Sequence, residues 1–203
     1  MKKLLLLCFT PFLFSACSTM APQTVDKDFL VGEWSCSTTY DEIGVGSIDL
    51  ITLNADGTTI DENFLFDHGI EKFVNKPIQN WFSSPLQYLR TNSGNWQLKG
   101  NRLTYNFKTS TVKRLIKDEF FQTIQNIKPV KEYEEGVFKI YSANHNEPIE
   151  LEIINHSNDG DQKQFTVIQS MGDKTYQSSC VDINSAPPLA GKQRLNDIKG
   201  TLK

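Results

Sequence analysis

Residues 47–66 read Ser-Ile-Asp-Leu-Ile-Thr-Leu-Asn-Ala-Asp-Gly-Thr-Thr-Ile-Asp-Glu-Asn-Phe-Leu-Phe, and this stretch decides the fold class. The run from Ser47 to Leu53 has the two-residue period of a β-strand. One face carries Ile48, Leu50 and Thr52, and the other carries Asp49, Ile51 and Leu53. The turn Asn54-Ala55-Asp56-Gly57 then leads into a second strand-like run, Thr58 to Phe66. An Asp-Gly pair between two such runs predicts a β-hairpin.

The same alternation of turn signals and strand-like runs continues along the chain. A second hairpin is predicted around Gly100-Asn101, and about nine strands are expected in all. The further runs are Trp34 to Tyr40, Asn95 to Lys99, Arg102 to Lys108, Tyr133 to Ser142, Ile149 to His156, Gln164 to Ser170 and Thr175 to Val181, with turns at 158–161 and 172–174. The predicted fold is mainly β, an antiparallel barrel of about eight or nine strands.

Two segments depart from this pattern. Thr111 to Ile127 carries apolar residues at three- and four-residue steps, which predicts an inserted amphipathic helix. Such a helix would be a lid or plug packed on the sheet, or else a surface for a partner or a membrane. The stretch from His68 to Thr91 is too long for a plain hairpin loop, and its aromatic residues indicate a packed excursion.

The N-terminus predicts export. Lys2 and Lys3 precede an eleven-residue apolar stretch, which is too short for a transmembrane helix of roughly 20 residues. The sequence Leu13-Phe14-Ser15-Ala16-Cys17 resembles the lipobox of bacterial lipoproteins, with Phe14 where leucine is usual. The resemblance implies a signal peptide over residues 1–16 and lipidation of Cys17 by acyl chains such as palmitate. The alternative is an ordinary signal peptide with Cys17 a free thiol.

The same resemblance implies a location. Ser18 replaces the aspartate that commonly retains lipoproteins at the inner membrane, so we expect an outer-membrane lipoprotein facing the periplasm. Acyl chains would make attachment through Cys17 effectively permanent. Residues 17–28 are expected to be a flexible tether, 29–183 the barrel domain, and 184–203 a flexible tail.

Charge argues against nucleic acid as a partner. Removal of Lys2 and Lys3 from the 21 basic residues leaves 19 against 24 acidic ones, a formal charge of −5. A nucleic-acid-binding domain usually carries a basic face with interleaved aromatic residues, and the sequence shows no such stripe.

Cysteine usage predicts one disulfide. Cys8 leaves with the signal peptide and Cys17 takes the lipid, so Cys36 and Cys180 remain. In an oxidising compartment such a pair is expected to form a bridge, which would place the first strand beside the last. The alternative is two free thiols, one of them a nucleophile, although no histidine lies near either in sequence.

An ordered series of motifs resembles the lipocalins and their bacterial lipocalin-like relatives. It consists of Gly32-Glu33-Trp34, Asp56-Gly57-Thr58, Gly94-Asn95-Trp96-Gln97-Leu98 and Leu103-Thr104-Tyr105. The resemblance covers roughly residues 30–107. It implies an antiparallel barrel in which Gly32 and Trp34 close one end. Lipocalins pack an arginine across this tryptophan, but none lies near Val181, which leaves the broader lipocalin-like class.

Signatures of catalysis, metal ligation and cofactor binding were sought and are missing from the sequence. His68, His145 and His156 are scattered among turns and strand ends. We therefore expect no catalytic residues, no metal, no cofactor and no enzymatic activity, although an unrecognised hydrolytic site stays open.

Two classes of function remain. The first is a membrane-anchored binding module whose barrel holds a small apolar ligand such as a fatty acid or lysophospholipid, as the lipocalin resemblance implies. The second is an envelope-assembly or inhibitor lipoprotein with a solid barrel that contacts another envelope protein. Exposure of Leu115, Phe120 and Ile124 would favour the second class, and their burial would weaken it.

Overall fold

The computed structural model describes residues 24–74, 84–143, 147–159 and 162–184. The predicted signal peptide, Cys17, most of the predicted tether and the tail from residue 185 lie outside these ranges. The strands are β1 Gly32–Tyr40, β2 Val45–Leu53, β3 Thr58–Asp67, β4 Leu86–Lys99, β5 Arg102–Arg114, β6 Ile149–Asp159, β7 Gln162–Met171 and β8 Lys174–Asp182. The helices are α1 Lys27–Leu30, α2 Glu71–Val74, α3 Asp118–Asn126 and α4 Lys128–Ser142, with a 3-10 turn at Asp41–Ile43.

The described strands form one closed barrel. Each strand pairs antiparallel with the next along the chain, and β8 returns to pair with β1. The prediction of a mainly β, antiparallel barrel is therefore confirmed, with eight strands. Closure leaves no free sheet edge over the paired segments, and strand edges are where β proteins otherwise aggregate.

The β2–β3 hairpin forms where the sequence predicts it. The carboxylate of Asp56 accepts hydrogen bonds from the backbone N–H of Thr58 (2.9 Å) and from its hydroxyl (2.7 Å). Gly57 has φ +86°, a conformation that L side chains rarely adopt. Thus aspartate and glycine are each required at their own position of this turn.

Cys36 and Cys180 form a disulfide across the seam of the barrel. They are direct partners in the β1–β8 register, so the bridge joins the first strand to the last as expected. Both are buried beside Trp34 and Phe165, and neither is the free thiol of the alternative interpretation.

The inserted helix begins at Asp118, later than the predicted start at Thr111. Thr111 to Arg114 continue β5, where Thr111 and Val112 pair with Thr91 and Arg90 of β4. The helix itself is α3, which begins at Asp118. The three- and four-residue spacing spans a strand end and a helix start, and it therefore resembles one continuous helix.

The predicted strand Tyr133 to Ser142 is wrong, because these residues belong to α4. The segment is rich in β-branched and aromatic residues, which favour strands in isolation. Val130, Glu134 and Val137 nevertheless fall on one buried helical face, and Pro129 stands in the first turn, where proline is well tolerated.

Other boundaries also differ from expectation. Strand β4 begins at Leu86, inside the predicted excursion from His68 to Thr91, and both β4 and β5 are longer than predicted. Within that excursion the structure describes α2, while residues 75–83 lie outside the described ranges. Gly160 and Asp161 of the predicted β6–β7 turn also lie outside them.

The ordered domain begins earlier than the predicted boundary at residue 29. Val25 was assigned to the tether, yet it is buried in the core, and its backbone N–H donates to Asn101 Oδ1 at 3.2 Å. Asp26 caps α1 by accepting from the N–H of Asp28. The chain is therefore held against the barrel from Val25 onward.

Candidate functional site in the barrel interior

One end of the barrel is closed by α1 and Trp34. Trp34 is 1% exposed, and its indole N–H donates to the carbonyl of Leu30 at 2.7 Å. Gly32 has φ +148°, which favours glycine, and a Cβ there would lie 3.9 Å from the indole nitrogen. The apolar layer around them contains Leu30, Cys36, Ile51, Leu53, Trp96, Leu103, Tyr105, Ile153, Phe165, Val167 and Cys180.

The opposite end is capped by α3 and α4. Ile124 of α3 and Val130 and Val137 of α4 are buried against side chains of the barrel rim. The rim residues in this second apolar layer are Val45, Leu65, Ile70, Leu86 and Tyr88. Leu115 is also buried. Leu115 and Ile124, which were predicted to lie on a partner-binding surface if exposed, therefore face the protein rather than solvent.

Buried polar contacts fix α4 to the rim. Glu134 is fully buried and accepts two hydrogen bonds from the Arg114 guanidinium, at 2.8 and 3.2 Å, and one from the Tyr88 hydroxyl at 3.2 Å. The same guanidinium lies 3.4 Å from the ring centroid of Phe138. A charge-assisted, two-point contact of this kind holds both position and orientation.

A second contact lies on the other side of the cap. Asp67 of β3 accepts hydrogen bonds from the hydroxyls of Tyr133 (2.7 Å) and Tyr141 (3.2 Å), and from the N–H of Gly69. Asp67 and Glu134 therefore tie α4 to β3, β4 and β5 at once, which makes the helix a fixed plug.

Between the two apolar layers lies a band of inward-pointing polar side chains, here called the polar layer. It is built from two register rows, because residues directly opposite each other across a ladder share a face of the sheet. One row is Asp49–Asn63–Arg90 and the other is Asp61–Asn92–Ser110, flanked by Ser47 and Thr59. Two carboxylates of one hairpin thus lie inside the barrel.

Hydrogen bonds link most of the polar layer. Arg90 Nε donates to Ser110 Oγ (2.8 Å) and to Asn92 Oδ1 (3.1 Å), and Asn92 Nδ2 donates to Asp61 Oδ2 at 2.8 Å. On the neighbouring row, Asp49 accepts from the Asn63 amide and from Ser47 Oγ. These bonds fix the orientation of both carboxylates.

Three oxygens of the polar layer have no hydrogen-bond partner among the described residues. They are Thr59 Oγ1, Asp61 Oδ1 and Asn63 Oδ1, all buried and all on the inner face of β3. Thr59 is 1% exposed and Asp61 is 5% exposed. A buried polar group without a partner costs roughly 1–3 kcal/mol, so three on one strand face require an explanation.

Burial also perturbs the acidity of the layer. Desolvation raises the pKa of Asp49 to about 6, against hydrogen bonds from Asn63 and Ser47 that lower it. Desolvation, and after it the charge of Asp49, raises the pKa of Asp61 well above its ordinary value. Burial raises the pKa of Tyr105 as well, with Asp61 and Asp49 contributing. Charge in the layer therefore depends on pH in the range around 6.

The ladder between β5 and β6 is short. Strand β5 pairs with β6 at only four positions, from Arg102 to Tyr105, although β5 continues to Arg114. In the described ranges, Ser110 and its neighbours on β5 thus have a strand partner on the β4 side alone.

A separate groove of about 560 Å³ lies on the surface near the other end of β5. Its charged lining consists of Lys99 and Arg102 from the β4–β5 hairpin and Glu150 and Glu152 from β6, with Arg102 and Glu150 ion-paired at 3.7 Å. The groove residues have no unpartnered buried atoms, so the polar layer is the better candidate site.

The histidines do not converge. His68 Nδ1 lies 3.7 Å from Glu71, His156 packs edge-on against Phe29, and His145 lies outside the described residues. Nowhere in the described part of the chain do three or more His, Cys, Asp or Glu side chains cluster in a way that could hold a metal ion.

Sequence reasoning missed the polar layer. A signal was present on β2 alone, since Asp49 stands on the same strand face as Ile51 and Leu53. A charged residue on an apolar face is the feature that would have indicated a buried site.

No protein-family model matches the chain, and no curated protein matches it significantly. In the described ranges, no helix is long and apolar enough to cross a bilayer.

Proposed function

We propose that the mature chain is a lipoprotein of the bacterial cell envelope, anchored through Cys17 on the periplasmic side of the outer membrane. Its barrel would be a non-enzymatic binding module for a small ligand held in the polar layer. The anchor is supported by the lipobox-like sequence ending at Cys17. The binding role is supported by the three unpartnered buried oxygens of β3.

The unpartnered oxygens favour a ligand that donates hydrogen bonds. Asp61 Oδ1 and Asn63 Oδ1 are acceptors, and a ligand with N–H or O–H groups would relieve the cost of their burial. Ligand sites usually combine apolar walls with a few placed polar groups, and the two apolar layers supply such walls here.

This proposal departs from the apolar ligand implied by the lipocalin resemblance. A fatty-acid chain in the middle of the barrel would lie against the buried carboxyls of Asp49 and Asp61 and would offer no hydrogen bond to the unpartnered oxygens. The partner-binding alternative is weakened, because Leu115 and Ile124 of its predicted surface are buried.

Metabolic labelling tests the anchor. Cells expressing the full chain are supplied with an alkyne analogue of palmitate, and the purified protein is examined for incorporated label. We expect labelling of the wild type and of Cys8→Ser, whose cysteine leaves with the signal peptide, and none of Cys17→Ser. Label on Cys17→Ser, or an unlabelled wild type, would exclude the lipoprotein proposal.

Thermal unfolding tests the binding role. The mature chain from residue 18, produced without lipid, is screened against small amines, polyols and fatty acids. A donor-bearing compound that raises the melting temperature of the wild type but not of Asp61→Asn supports the proposal. Stabilisation by fatty acids alone, equal in both proteins, would contradict it.

A further inference from the structure

The polar layer holds two carboxyl groups and one guanidinium, and burial favours the protonated form of both carboxyls. It contains the carboxyls of Asp49 and Asp61 and the single guanidinium of Arg90. Arg90 is bonded through Nε to Asn92 and Ser110, and no ion pair of the described residues joins it to either carboxylate within 4.0 Å. A buried carboxylate without an ionic partner is costly, and a bound cation would remove that cost.

The strand register places the acceptor side chains on neighbouring inward positions. Asp49 and Asp61 are diagonal neighbours on the inner face of the β2–β3 hairpin, because Asp49 opposes Asn63 and Ile51 opposes Asp61. Diagonal neighbours in an antiparallel pair are roughly 7–8 Å apart at Cα. The unpartnered oxygens of Asp61 and Asn63 therefore lie on adjacent inward positions, with the Asp49 carboxylate beside them.

We propose that the ligand of the polar layer is a small organic amine, whose protonated nitrogen donates hydrogen bonds to Asp61 Oδ1 and Asn63 Oδ1 beside the Asp49 carboxylate. This inference rests on the proposed binding function and names its ligand class. A primary ammonium group carries three N–H donors and no acceptor, which matches a cluster of acceptor oxygens.

An inorganic cation fits less well. Calcium takes six to eight oxygen ligands, usually with several carboxylates, and the layer offers two carboxylates. An uncharged hydroxyl compound could satisfy the acceptors but would not stabilise the ionised form of either carboxyl. The combination of unpartnered oxygens and two buried carboxyls with no ion pair among the described residues favours a nitrogen cation.

Binding of an amine should compete with protons. The groups that face the two carboxyls are Arg90 on β4, Tyr105 on β5 and Tyr40 on β1, with Glu62 nearby on β3. Since burial raises the pKa of Asp49 to about 6, this carboxyl is mostly ionised at pH 7 and mostly protonated at pH 5. Burial also raises the pKa of Asp61, so the cation competes with protons at both carboxyls, and affinity should fall at least tenfold between pH 7 and pH 5.

Matched probes test the proposal on the mature chain. The probes are n-butylammonium, tetramethylammonium with the same charge but no N–H donor, 1-butanol with no charge, and CaCl₂. Binding is measured by the shift in melting temperature and by saturation-transfer NMR. The variants are Asp61→Asn and the control Asp173→Asn, which removes an exposed charge in the β7–β8 turn.

We expect n-butylammonium to bind the wild type and Asp173→Asn, at pH 7 much better than at pH 5, and to lose at least tenfold in affinity with Asp61→Asn. Equal binding of tetramethylammonium, or preferential binding of CaCl₂, would overturn the amine assignment. If a neutral polyol binds through Asp61 and butylammonium does not, the inference fails while the proposed function stands. If no donor-bearing compound binds, both fail. Should Asp61→Asn not fold, the comparison of the four probes on the wild type decides.

Discussion

Cys36 on β1 and Cys180 on β8 lie directly opposite each other where the barrel closes, and the bridge between them joins positions 144 residues apart. Five residue pairs hold this seam, against nine in the adjacent β1–β2 ladder. The disulfide thus reinforces a short ladder on which closure of the barrel depends.

Loss of either cysteine should open the same covalent loop. Cys36→Ser and Cys180→Ser should lower the free energy of unfolding by similar amounts, and by no more than about 5 kcal/mol on the chain-entropy model. Denaturant unfolding of the mature chain measures this, with the double variant expected to resemble the single ones. Clearly unequal losses would show that one cysteine has a role outside the bridge.

Gly94 should not tolerate a side chain. It lies at the bulge between β4 and β5, where an added Cβ would overlap the carbonyl oxygen of Asn106 and come within 2.7 Å of the Cα of Phe107. Gly94→Ala should therefore destabilise the protein by about 3 kcal/mol.

The control for Gly94 is Gly136→Ala on α4, where an added Cβ meets nothing within 4 Å. Because alanine is a better helix former than glycine, this change should be neutral or stabilising by about 1 kcal/mol. Equal destabilisation of both variants in thermal unfolding would contradict the structure of the β4–β5 ladder.

The plug formed by α4 should depend on Glu134. Glu134→Ala would leave the Arg114 guanidinium and the Tyr88 hydroxyl without their buried acceptor, and because Arg114 is itself 31% exposed, the cost should be about 2–3 kcal/mol. Glu135→Ala changes the next residue, which is exposed and pairs with Lys131 at 3.8 Å, and should cost less than about 1 kcal/mol. Hydrogen exchange should show loss of protection in α3 and α4 for the first variant alone, and unchanged protection there would refute the plug.

The polar layer should make stability depend on pH. The pKa of Asp49 is raised to about 6 in the folded state, so the folded protein holds a proton that the unfolded chain releases near pH 4. The stability gained by binding this proton is fully present below pH 4. It declines between about pH 4 and pH 6 and is absent above pH 6. Relative to Asp49→Asn, the wild type should lose on the order of 3 kcal/mol of unfolding free energy across that window.

Chemical denaturation at pH 4, 5, 6 and 8 measures this difference, with Asp173→Asn as the control. A difference in unfolding free energy between wild type and Asp49→Asn that does not change with pH would disprove a buried carboxyl with a raised pKa.

Local sequence signals predicted much of the barrel because hairpins are local structures. Asp56-Gly57 marks its turn by a local side-chain hydrogen bond and a positive φ, and the cysteine pair was predicted by elimination on the expectation that the chain is exported. The errors fall where tertiary packing overrides propensity. Tyr133 to Ser142 has strand-favouring residues, yet it is helical because one face of the helix packs on the barrel rim.

The candidate site could not be predicted in the same way. Its side chains come from β2, β3, β4 and β5, and they meet only when these strands are in register inside a closed barrel. An aspartate such as Asp61 has the same local sequence pattern whether it faces solvent or the interior. Only the observed burial distinguishes the two.

Native mass spectrometry of the mature domain, isolated from the envelope of the expressing cell with its disulfide intact, tests the central claim most directly. We predict that the wild type retains a small polar molecule of the amine class and that Asp61→Asn does not. A wild-type protein that carries no bound molecule, or a fatty acid retained equally by both proteins, would contradict the assignment of the polar layer as a binding site.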